Sequence, residues 1–213
     1  MQSIRIPLFD EAGKPLKLPA LNQSLAESLP KREEGEAAGK LMLDFEGEPT
    51  ENLAFSMFTI QAAKYGLHPI FRTVLPTLRE NDLWLILNSY VNTINETYNG
   101  TGVTLVLDLG STSEKARHKL HPEGVVSITE TSKMLAKLPP LKNGGKIVLS
   151  FQSGYPIDAD KLCRLFPPDM FCVEICMPKD EPVLPLDNVE DIERAGYRLL
   201  DAEHPEQVLE EGE

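Results

Sequence analysis

Between residues 41 and 200 the chain alternates short runs of β-branched, leucine and aromatic residues with segments whose apolar residues recur at helical spacing. Most switches are marked by Gly or Pro. The strand-like runs are 41–45 (LMLDF), 68–76 (HPIFRTVLP), 103–109 (VTLVLDL), 146–151 (KIVLSF), 171–177 (FCVEICM) and 196–202 (GYRLLDA). Helical spacing predicts helices over 51–65, 80–98, 112–120, 127–138, 159–165 and 189–195. An earlier run, 3–9 (SIRIPLF), is a first candidate strand that Pro7 either weakens or places at a sheet edge. Six or seven β-α units in succession imply an α/β fold with a parallel sheet covered by helices. An open doubly wound sheet and a closed or partial (β/α) barrel both satisfy this order. Within the helix at 51–65, Leu53, Met57, Ile60 and Lys64 line one side, and Ala54, Phe58 and Ala62 a neighbouring one.

Residues 1–40 read as an N-terminal strand, a turn at 11–14 (EAGK), a short helix at 21–29 and a connector through KREEGEAAG. Residues 41–201 form the β-α domain, and 202–213 an acidic tail. The 213 residues, 41% of them hydrophobic, suffice for a substantial core. Against 21 Lys and Arg stand 33 Asp and Glu, and the net charge of -12 disfavours nucleic acid and anionic membrane surfaces as partners. No stretch approaches the ~20 apolar residues of a membrane span. The first residues, MQSIRIPLFD, lack the basic-then-apolar order of a secretory signal, so a cytoplasmic protein is expected. Three cysteines, Cys163, Cys172 and Cys176, are an odd, late-lying set that fits reduced, buried thiols rather than a disulfide framework.

In parallel β-α sheets ligands meet the C-terminal strand ends. Those ends supply Glu46, Gly47 and Glu48; Arg72; Asp108 and Ser111; Ser150 and Gln152; Glu174 and Cys176. Several have simple structural readings. Glu48-Pro49 can be a turn that starts a helix, and Arg72 can pair with a carboxylate or receive that of a bound amino acid. Asp108 can meet ribose hydroxyls or cap the next helix, while Ser111 and Glu114 have capping-box spacing. His118 and His121 are better placed on a basic face than as metal ligands. Asp44, Glu46, Glu48, Asp108 and Glu174 together could converge as oxygen ligands for Mg2+ or Mn2+.

The stretch LMLDFEGEPTEN resembles the second strand of radical S-adenosylmethionine (SAM) enzymes, whose Gly-Glu-Pro corner holds the methionyl amine of SAM. The stretch VTLVLDLGSTSEKARHKLHP is similar to the fourth unit of the branch that methylates ribosomal RNA adenines. The matching residues are Ser111, Thr112, Glu114, Arg117, Leu120 and Pro122. Together with KIVLSF and the segment from Gly154 to Pro178, the likeness covers residues 41–196 in order. It implies a partial (β/α) TIM-like barrel of six or seven parallel strands. It also implies SAM or a similar nucleoside as the ligand, with Gly47, Glu48, Pro49, Arg72, Asp108, Ser111 and Ser150 as candidate binding residues.

One departure decides what the resemblance can mean. The superfamily needs a Cys-x3-Cys-x2-Cys loop after its first strand, and residues 1–162 contain no cysteine. Soft thiolates anchor a four-iron cluster, and Asp, Ser or Asn do not replace them. No iron-sulfur cluster is expected, and no Cys follows Cys176 for the methyl-transferring step. Where the branch has Ser-Leu-His, this chain has Asp108-Leu109-Gly110. The expectation is therefore a pseudoenzyme that binds, regulates or assists, with a protein partner supplying or using the barrel face. The alternatives are a split radical SAM enzyme completed by another chain, or a divalent-metal barrel enzyme.

Overall fold

A computed structural model describes residues 3–29, 41–64, 66–76, 86–93, 102–142, 144–176 and 189–200. The expected connector at 31–39 and the acidic tail at 202–213 lie outside the described residues, as do Leu83 and Ile94 of the helix expected at 80–98. The strands are β1 (Ser3–Pro7), β2 (Leu41–Glu46), β3 (Leu67–Thr73), β4 (Thr104–Gly110), β5 (Lys146–Gln152), β6 (Phe171–Cys176) and β7 (Arg198–Leu200). The helices are α1 (Leu18–Ser28), α2 (Phe55–Lys64), α3 (the helical residues 86–93), α4 (Glu114–Leu120), α5 (Ile128–Leu135), α6 (Ala159–Leu165) and α7 (Val189–Arg194). Among the described residues the seven strands form one parallel sheet in the order β1-β2-β3-β4-β5-β6-β7. A doubly wound sheet needs a reversal of strand order, and none occurs in this sequence of strands. Among the described residues, no helix is long and apolar enough to cross a membrane.

By contacts the chain divides into two compact units. One comprises residues 1–73, 81–105 and 138–145; the other comprises 74–80, 106–137 and 146–213. In the first unit, β1 runs parallel to β2 with Ile4 opposite Leu43 and Ile6 opposite Phe45. The alternating burial of β1 places Ile4 and Ile6 inward. Pro7 ends this edge strand, where its missing N–H costs no ladder bond. β2 and β3 are buried along most of their length, as expected of parallel strands covered on both faces.

Helix α2 starts at Phe55, not at residue 51, after a single 3-10 turn at Pro49–Glu51. Asn52 interrupts the chain there: its side-chain amide donates to the carbonyls of Leu8 (2.7 Å) and Leu16 (3.1 Å), and its Oδ1 accepts from Ala54 N (2.9 Å). Of the two stripes expected on this helix, the one through Leu53 and Met57 is turned outward and the neighbouring one through Phe58 and Ala62 inward. Leu53 is 98% and Met57 60% exposed, while Phe55, Phe58, Thr59, Ala62 and Ala63 are buried. Those positions repeat at the i, i+3, i+4 spacing of one helical face.

That face closes an aromatic core. Phe55 meets Phe45 edge-on at 4.8 Å between ring centroids and Phe71 edge-on at 5.1 Å, and Tyr90 of α3 packs against Phe71 at 5.0 Å. The Tyr90 hydroxyl is buried beside Thr59 and makes no hydrogen bond among the described residues, while Thr59 donates to the carbonyls of Phe55 and Ser56. Burial raises the Tyr90 pKa above the usual phenol range, with Thr59 opposing in part. Removing a polar group that has lost its water without gaining a partner is at worst neutral. Tyr90→Phe should therefore leave stability unchanged or raise it by about 1 kcal/mol. A urea melt showing a clear loss would mean that this hydroxyl does have a bonding partner.

In the second unit, β5, β6 and β7 pair in parallel, with Ser150 opposite Glu174 and Cys172 opposite Arg198. α5 is capped by Ser127, whose side chain accepts from Glu130 N, and buries Ile128, Thr131, Met134 and Leu135. α6 is capped by Asp158, which accepts from Lys161 N at 2.8 Å. The tie that Ser132 makes to the Leu165 carbonyl (2.6 Å) and the bond from Tyr197 to the Phe166 carbonyl hold the C-terminal end of α6. The three cysteines are free, but each is half-buried, correcting their reading as core residues. Cys163 lies within α6, Cys172 near the start of β6 and Cys176 at its end.

Candidate functional site

Within the first unit, the corner after β2 is built from side chains that the local sequence only partly foretells. Gly47 has φ +103, a conformation that favours glycine, and a Cβ placed there would stand 2.5 Å from Cδ2 of Phe9. Glu48 precedes the 3-10 turn, and its Oε1 accepts from Thr50 N (3.1 Å), Thr50 Oγ1 (2.6 Å) and Thr73 Oγ1 (2.7 Å). Pro49 is buried at the first position of the turn, where an N–H would be an orphan in any case. The structure thus brings Gly47, Glu48 and Pro49 together with Thr73, the last residue of β3. Arg72, half-buried, immediately precedes Thr73.

Asn52 escaped the sequence reading although it ties three segments together. A visible signal existed: Asn shortly before a helical run is a favoured N-cap residue. The carboxylates Asp44 and Glu46 share one cation instead of converging with Glu48. Arg5 lies 3.9 Å from Asp44 and 3.7 Å from Glu46.

Within the second unit, the capping box expected from Ser111 and Glu114 does not form. Ser111, fully buried, donates to the Pro156 carbonyl (2.6 Å) and accepts from Ser113 N (3.1 Å), while Glu114 Oε1 accepts from Ile128 N (2.8 Å). The residue preceding α4 is Ser113, and its side chain makes no capping bond. Distant acceptors and donors, brought close by the fold, displace the local exchange. Thr112 joins the same tie: its Oγ1 accepts from Asp158 N at 2.8 Å, and Lys161 Nζ donates to its carbonyl. These bonds fasten the loop after β4 to the loop after β5.

Ser150 is buried in β5, and its Oγ lies 3.3 Å from Sγ of Cys176 in β6. Glu174, also buried, has its Oε1 3.8 Å from that thiol. The structure thereby gathers Ser150, Glu174 and Cys176, three residues from two adjacent strand ends. Asp108 is half-buried, and its charge acts on Arg117.

Arg117 was visible in the sequence only as part of a motif, because arginine is mostly exposed in folded proteins. Here its side chain is 0% exposed. None of Nε, Nη1 or Nη2 makes a hydrogen bond, and Glu114 Oε2 lies 3.8 Å from Nη1. Burial holds its pKa below the ordinary arginine range, opposed by Glu114 and then Asp108.

His118 is exposed, and His121 lies 3.7 Å from Glu123. Among the described residues, no group of three or more His, Cys, Asp or Glu side chains could hold a metal ion, so the proposed convergence of Asp44, Glu46, Glu48, Asp108 and Glu174 has no support there. No family model, curated protein or solved structure matches the chain.

Proposed function

We propose that this chain is a cluster-less relative of radical SAM proteins, with a partial (β/α) barrel arrangement, that serves as a binding, regulatory or accessory subunit. It retains a place for SAM or a similar nucleoside at Gly47, Glu48 and Pro49. The sequential order of parallel strands supports the reading. The observation that carries it is Glu48, whose carboxylate is held after β2 by two threonine hydroxyls and a backbone N–H. A carboxylate fixed in this way is prepared to receive an ammonium group without further ordering. With no cysteine before Cys163, the chain supplies no thiolate loop for the reductive chemistry of the superfamily. A cytoplasmic setting and a protein partner belong to the same proposal.

The expected result of anaerobic incubation with iron and sulfide is colourless protein. Calorimetry should show saturable SAM binding that weakens about tenfold or more in Glu48→Gln, which keeps Oε1 as an acceptor and removes the charge. A stable, SAM-responsive iron-sulfur chromophore in the isolated chain would overturn the cluster-less reading. Absence of SAM binding to the wild type would overturn the ligand assignment.

A further inference from the structure

No further inference is drawn: the strongest candidate, the cavity of about 510 Å³ lined by Ile157, Asp158 and Asp160 at the start of α6 and by Asp191 and Arg194 of α7, is a cluster of exposed, mainly acidic side chains, and among the described residues that line it no buried polar group shows what it would bind.

Discussion

Replacing Phe55 by alanine is expected to cost the first unit about 3–5 kcal/mol, the largest effect of any single truncation on α2. Phe55 is 1% exposed and contacts Phe45, Phe71 and Tyr90, so its removal opens a cavity bordered by three rings that cannot all move in to fill it. Its edge-on contacts add about 0.5–1.5 kcal/mol beyond burial. Against a total stability of about 5–15 kcal/mol for an ordinary domain, that is a large share. The measurement is a urea titration, read as a drop in midpoint at constant slope. Met57, two residues away and 60% exposed, is the internal control: Met57→Ala should stay within about 0.5 kcal/mol of wild type. Equal costs at both positions would show that the buried face of α2 has been misassigned.

Gly47→Ala should destabilise by about 2–5 kcal/mol, from two separable causes. The φ of +103 strains any residue with a Cβ, and the new methyl group would lie 2.5 Å from the Phe9 ring. The ring can move and the backbone angle cannot. A double-mutant cycle with Phe9→Ala separates them: the double variant should recover the steric part, with a coupling of about 1 kcal/mol or more, and retain the conformational part. Strict additivity in the cycle would remove Phe9 from the account. Loss of SAM binding in Gly47→Ala would report strain rather than contact with a ligand, which is why Glu48→Gln is the informative change at that corner.

The β-α alternation was legible because it rests on local rules. Period-2 or continuous apolar runs make strands, 3.6-residue spacing makes helices, and Gly66, with φ +80 just after α2, takes the left-handed conformation that commonly stops a helix. The face of α2 was not legible in the same way. Leu53, Met57 and Ile60 form as regular a stripe as Phe55, Phe58 and Ala62, and periodicity cannot rank two stripes on one helix. Asn52 ranks them, by drawing the chain toward the Leu8 and Leu16 carbonyls and delaying the helix to Phe55.

At the candidate site the same division holds. That Gly47, Glu48 and Pro49 make a corner after a strand was readable from residue type, and so was the gathering of polar residues at strand ends. That Glu48 receives the Thr73 hydroxyl was not, since the partners are 25 residues apart. Ser111 and Glu114 satisfy the spacing of a capping box, yet the Pro156 carbonyl and the Ile128 amide take their places. The sequence alone determined the kinds of element, their order and the absence of early thiolates. Tertiary structure alone decided which stripe is buried, which acceptor each hydroxyl meets and that Arg117 lies out of water. Those outcomes depend on neighbours in space, and a side chain exchanges water for whichever partner the fold brings within hydrogen-bonding distance.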